Sequence, residues 1–111
     1  MEVYYGSENL KQTLEDERKC KGAYGSIQRT IFKRSNALKA AKTLQDLKNT
    51  PGKWHGPLTG DRKGQFAVHL DASYRMVFRP LGNPENYTVS GTIVWSKITS
   101  VEVIAIVDYH S

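Results

Sequence analysis

The stretch Gln65-Phe66-Ala67-Val68-His69-Leu70-Asp71-Ala72-Ser73-Tyr74-Arg75-Met76-Val77-Phe78-Arg79 decides the architecture of this chain. Its apolar residues recur at every second position. Phe66, Val68 and Leu70 share one face of the first half, and Tyr74, Met76 and Phe78 share one face of the second. Successive side chains of an extended chain point to opposite faces, so this period of two predicts a pair of strands. Asp71-Ala72-Ser73 between them is a turn of hairpin size. The other face of the second strand carries Arg75, Val77 and Arg79. A guanidinium in mid-strand with apolar neighbours is costly to leave unpaired. Arg75 therefore stands out, either as a bidentate partner for phosphate oxygens or as one half of a salt bridge to Asp61 or Asp108.

Working outward, the segment from about Ser100 to Asp108 is apolar on both faces between Val103 and Val107, the pattern of a central strand. Pro80 to Gly91 is polar, contains Gly82-Asn83-Pro84-Glu85-Asn86, and reads as a long mobile connection. Upstream, Lys53 to Gly64 holds Gly56, Gly60, Gly64 and Pro57, and reads as a loop. Before it the period changes to that of a helix. Ile27, Ile31, Leu38, Ala41 and Leu44 fall on one stripe of a helix predicted from about Ser26 to Lys48, which Thr50-Pro51-Gly52 ends. Its other faces are basic, with Arg29, Lys33, Arg34, Lys39, Lys42 and Lys48 set against Asp46. An earlier helix is predicted from Ser7, a suitable N-cap, through the acidic Glu8 to about Lys19, with Lys21-Gly22-Ala23-Tyr24-Gly25 separating the two. Glu2-Val3-Tyr4-Tyr5 is a short strand-prone opening.

The plan is thus an α+β fold: an N-terminal strand and a two-helix hairpin packed on a mostly antiparallel sheet of about four strands, with the second sheet face left for function. At 111 residues the chain is a single domain. Its composition, 39% hydrophobic and 24% charged, fits a folded domain rather than a disordered one. No apolar run approaches the roughly 20 residues that span a bilayer. The single cysteine, Cys20, forms no internal disulfide, which suits a reducing cytoplasm and a structural role for the thiol. Lys and Arg number 16 against 11 Asp and Glu, a formal charge of +5, which favours a polyanionic partner.

Three segments carry a resemblance. Leu47-Lys48-Asn49-Thr50-Pro51-Gly52 followed by Pro57-Leu58-Thr59-Gly60-Asp61-Arg62-Lys63-Gly64-Gln65-Phe66 resembles the "LxxxPG…PLKGDRKGQ" segment of HigB-like toxins, within the RelE/ParE toxin superfamily. Ser73-Tyr74-Arg75-Met76-Val77-Phe78 is similar to their "PYRLIFEP" strand. Trp95-Ser96-Lys97-Ile98-Thr99-Ser100-Val101, continuing through Ile106-Val107-Asp108-Tyr109-His110, is similar to their "WSKVTxVxILEIVDYH" ending. The resemblance covers roughly the C-terminal 60% of the chain, and the order strand-helix-helix-strands agrees with the rest.

The resemblance implies a RelE-like fold and the toxin of a type II toxin-antitoxin system, a metal-independent enzyme with no cofactor that enters the ribosomal decoding site and cuts messenger RNA. It implies as partners the ribosome, mRNA and a cognate antitoxin, commonly a helix-turn-helix DNA-binding protein. Operator DNA would be met only through the antitoxin complex, and no membrane is involved. Two departures stand out. Thr59 occupies a position where the family often has a lysine thought to assist catalysis, and Trp54-His55-Gly56-Pro57 carries an extra glycine after the histidine.

Metal-free RNA cleavage uses the 2′-hydroxyl as nucleophile on the neighbouring phosphate. The site must accept that proton, stabilise charge on a pentacoordinate phosphorus and protonate the leaving 5′-oxygen. His110 suits proton transfer, as acid or as base, because an ordinary imidazole titrates near pH ~6.5. Tyr109 would donate a hydrogen bond or stack on a base, unless it is a core tyrosine. Asp108 would orient His110 or anchor the chain end, since direct contact with phosphate is repulsive. Arg75 would stabilise charge. Arg62 and Lys63 on the glycine-rich loop, with Arg79, Lys53, His55 and Thr59, are the candidate RNA contacts. The alternative reading is a ParE-like inhibitor of DNA gyrase that cuts no RNA; Arg75, Tyr109 and His110 favour the nuclease, because gyrase inhibition needs no proton-transfer group at the chain end. A catalytically weakened relative is a third reading, raised by Thr59.

Overall fold

The computed structural model describes residues 1–50, 52–71 and 73–109. β1 (Glu2–Tyr5) is followed by α1 (Glu8–Glu15), α2 (Glu17–Tyr24), α3 (Gln28–Ala40) and α4 (Leu44–Lys48), and then by β2 (Trp54–Pro57), β3 (Phe66–His69), β4 (Tyr74–Pro80), β5 (Thr88–Val89), β6 (Thr92–Ile93) and β7 (Ser100–Asp108). The main sheet has the order β1-β7-β4-β3-β2, and β5 and β6 form a small separate ribbon. β1 runs parallel to β7; the other pairs of the main sheet are antiparallel.

The α+β plan holds, with a fifth strand and with four short helices in place of two long ones. Each break has a local cause. The first predicted helix stops at Glu15 because Asp16 leaves the helical conformation at φ −105°, ψ 116°. Its backbone N–H closes α1 on Gln12 while its carboxylate caps α2 at the Lys19 amide, 2.9 Å away. One aspartate thus ends one helix and starts the next. The second predicted helix breaks after Ala40. Ala41 and Thr43 are extended, the Leu44 amide donates to the Ile98 carbonyl at 3.0 Å, and the Asp46 carboxylate accepts from the Lys42 amide at 3.0 Å. Most of the predicted stripe survives the break: Ile27, Ile31, Leu38 and Leu44 are buried, and Ala41, at the break, is half-buried.

Those residues, with Leu14, Cys20 and Leu47, meet Phe66, Val68, Leu70, Met76, Phe78, Val101 and Val103 in one core between the helices and one sheet face. Trp54, Phe66, Phe78 and Trp95 form an aromatic cluster at its β2 end, with ring centroids 5.1–6.4 Å apart. Cys20 is fully buried and burial pushes its thiol up, as suits a packing residue. The segment read as a mobile connection contains a 3₁₀ turn at Pro84–Asn86 and the β5–β6 ribbon, with Tyr87 and Ile93 packed against the core.

The loop reading of 53–64 is corrected too. Trp54–Pro57 is the edge strand β2, and Gly60–Arg62 is a 3₁₀ turn. Glycine and proline hid the strand, and both are tolerated here because β2 is an edge with a bulge. Trp54 pairs with Val68 and Gly56 with Ala67, so β2 spends one extra residue, His55, where β3 spends none. Gly56 sits at φ +104°, where a Cβ would stand 3.2 Å from Trp54 Nε1, so the bulge requires glycine.

Candidate functional site

With Phe66, Val68, Met76 and Phe78 facing the helices, alternation turns Ala67, His69, Arg75 and Val77 to the opposite face. β3 and β4 pair so that His69 lies directly across from Arg75, and Arg75 in turn lies across from Val107 on β7. Arg75 is therefore held by strands on both sides. Its guanidinium carbon lies 4.6 Å from the centre of the Tyr109 ring, and its Nε is buried with no hydrogen-bond partner among the described residues. It makes no ion pair with Asp61; the ion pair found among the described residues joins Arg79 to Glu102 at 2.9 Å.

Tyr109 is not a core residue. It is 37% exposed and, with His55, Pro57, Leu58, Thr59, Asp61 and Arg62, lines a cleft of about 370 Å³. Two bonds fix the chain end there. The Tyr109 amide donates to the Ser73 carbonyl at 3.0 Å, and the Ser73 hydroxyl donates to Asp108 Oδ1. Asp108 thus ties the end of β7 to the β3–β4 turn. His110 lies outside the described residues, directly after this anchored segment.

The other sequence candidates divide. Arg62 lines the cleft and donates to the Gln65 side chain at 3.0 Å; Thr59 also lines it and offers a hydroxyl but no charge. Lys63 lines a neighbouring hollow with Gly64, Gln65 and Ile93, which shares Pro57, Leu58 and Thr59 with the cleft. Lys53 contributes its backbone, accepting from the His69 amide at 2.8 Å. Arg79 is four residues along β4 from Arg75, about 13 Å at strand rise, and is committed to Glu102. Among the described residues no cluster of histidine, cysteine or carboxylate side chains is placed to hold a metal ion.

Sequence reasoning missed His69. Its ring meets that of His55 edge to face, with centroids 5.3 Å apart and planes at 89°. A signal was present: a three-residue turn at 71–73 pairs position 70 with 74 and 69 with 75, which puts His69 beside the arginine already singled out. The cleft is lined by His55, Asp61 and Arg62, with Arg75 stacked on its Tyr109 wall and His69 against His55. Burial first, then Arg75 and His69, lower the His55 imidazole below its ordinary value.

This shift has a consequence for stability. The folded state takes up the His55 proton less readily than the unfolded chain, so the stabilisation is present above the ordinary histidine pKa of ~6.5 and declines as pH falls below it. A His55→Gln variant is expected to lose less stability than the wild type between about pH 8 and about pH 5. Melting temperatures across that range check this; parallel declines in the two proteins would refute it.

Comparison with known proteins decides the family. A family model described as the RelE-like toxin of type II toxin-antitoxin system HigB matches residues 4–91. The chain belongs to this family of HigB-like toxins. Toxin HigB-1 of Vibrio cholerae serotype O1 is 30% identical over 70 residues, covering 63% of this chain and 74% of that protein. As a HigB-like toxin of a type II system, the protein has a cognate antitoxin as its partner. The family match runs from β1 to Gly91 and stops short of β7, so the segment that presents Tyr109 lies beyond it.

Proposed function

We propose that this HigB-like toxin is a ribosome-dependent endoribonuclease that cleaves mRNA in the decoding site and so arrests translation. The observation that carries the reading is Arg75. A guanidinium stacked on Tyr109, with its Nε buried and unpartnered among the described residues, keeps a donor suited to a phosphate oxygen.

In this reading the RNA backbone enters the cleft between Tyr109 and the Thr59–Arg62 turn. Arg75 faces the scissile phosphate and offsets the charge that builds as the 2′-oxygen attacks phosphorus. Fixed donors in a site that excludes water need no reorganisation at that moment, so their effect falls on the transition state. Tyr109 supports the guanidinium on its ring face and offers its outer edge to a neighbouring base. Asp108 holds the chain end through Ser73, and the following His110 exchanges protons with the 2′-hydroxyl or the 5′-oxygen. Arg62, His55 and Thr59 contact the flanking phosphates and riboses. Lys63 and Lys53 add positive charge around the cleft, whereas Arg79, paired with Glu102, contributes least. The toxin acts in the cytoplasm, and its antitoxin, a helix-turn-helix protein, carries the complex to operator DNA.

The test is induction without the antitoxin, with transcript 5′ ends mapped genome-wide beside a His110→Ala strain. Cuts in phase with codons are expected in the wild type, and a fall of about 100-fold or more in the variant. Intact messages accompanied by DNA damage would instead identify a gyrase inhibitor. Growth arrest that survives the substitution would remove His110 from the mechanism.

A further inference from the structure

The extra glycine after His55 and the unanticipated His69 belong to one device. Gly56 permits the β2 bulge, and the bulge residue is His55 itself. Bulges re-aim the side chain they carry. Here the re-aimed imidazole leaves the edge of the sheet and meets the His69 ring while lining the cleft. His69 is the fixed member of the pair. Its amide donates to the Lys53 carbonyl at 2.8 Å, and its carbonyl accepts from Arg34 Nε of α3 at 2.8 Å. Its backbone is thus gripped from β2 and from the helical layer, which fixes the point from which its ring projects. His55 stands exposed on the edge strand, at the bulge.

We propose that His69 is a positioning residue of the cleft: its ring is the wall against which the Gly56 bulge seats the His55 imidazole, fixing a nitrogen of His55 toward the backbone of bound RNA. The RNA part of this inference rests on the function proposed above; the positioning part does not. Groups facing His55 come from every element around it: His69 from β3, Arg75 from β4, Asp61 and Arg62 from the 3₁₀ turn, and Tyr109 from the chain end. Burial first, then Arg75 and His69, lower the His55 imidazole and so favour its neutral form. A neutral imidazole offers one donor and one acceptor nitrogen, and which of them meets the RNA is set by how the ring is held. An edge-to-face contact with a second ring sets that orientation. With Thr59 uncharged, an oriented His55 is the imidazole that β2 brings to this cleft.

The experiment uses the isolated full-length toxin and two variants, His69→Phe and His69→Ala. Proton NMR of the His55 ring is followed through a pH titration, and RNA cutting on programmed ribosomes is measured in parallel. His69→Phe keeps a ring and removes a potential cation. The His55 signals are expected to keep their ring-current displacement, the His55 midpoint to rise, and cutting to stay within about 3-fold of wild type. His69→Ala removes the wall, so the ring-current displacement should vanish and cutting should fall by about 10-fold or more. His55 signals in His69→Ala that match wild type would overturn the proposal, as would equal damage from Phe and Ala. The ring-current readout needs no RNA. If the wild type cuts nothing, the proposed function fails while the positioning of His55 is still judged by its own signals.

Discussion

Replacing Arg75 by alanine is expected to reduce RNA cutting by about 10²–10³-fold while leaving the fold intact. The two halves of this expectation have separate grounds. On the side of function, Arg75 is the cation that the sheet itself fixes in the site. Its backbone pairs with His69 on one side and Val107 on the other, and its head lies on the Tyr109 ring. Losing a preorganised charge-stabilising group of this kind is worth about 3–4 kcal/mol of barrier. On the side of stability, its Nε is buried without a partner among the described residues, so truncation removes a desolvated group rather than a satisfied one. The melting temperature should therefore hold or rise slightly. Arg75→Lys should fall between wild type and alanine in rate, because it restores charge without the planar fork or the stacking. Single-turnover cutting on programmed ribosomes, read beside thermal melts, checks both. A rate within a few-fold of wild type in Arg75→Ala would exclude it from phosphate stabilisation.

Phe78→Ala is expected to destabilise the fold by about 3–5 kcal/mol, a large share of the ~5–15 kcal/mol typical of a whole domain. Phe78 is fully buried on β4, across from Phe66 on β3, with ring centroids 6.3 Å apart, and 6.4 Å from Trp54. The cavity left by its removal would be walled by strand backbone and by rings already locked against Trp95, which leaves little freedom to collapse. Both tryptophans of the chain belong to this cluster, so their emission reports its loss directly. A urea titration followed by that emission gives the midpoint; a loss under about 1.5 kcal/mol would mean that the cluster repacks and that the cavity argument is wrong.

Much of this was written in local pattern. Alternation through 65–79 set β3, β4 and the face on which Arg75 stands, and the doubly apolar run 103–107 marked β7 as an interior strand. The helical stripe of Ile27, Ile31, Leu38 and Leu44 predicted burial correctly even though the helix is broken. What pattern concealed follows from competition between local and distant partners. Asp16 suits a helix interior poorly and a cap well, and which role it takes depends on whether both Leu14 and Cys20 can reach the core. Leu44 leaves the α3 register because a carbonyl on Ile98, more than fifty residues away in the chain, takes its amide. β2 reads as loop because glycine and proline disfavour strands in general, and only the presence of β3 beside it gives those backbone groups a partner.

The site shows the same division. By itself the sequence determined the family, the fold class, the positive charge and the candidacy of Arg75, Tyr109 and Arg62, because residue type and period carry that information. Tertiary structure alone decided that Arg79 is spent on Glu102 and that Tyr109 lies under Arg75 rather than in the core. It also decided that a bulge turns His55 onto His69. Each of those outcomes depends on which strand lies beside which and in what register, and a register is chosen by the packing of the whole core.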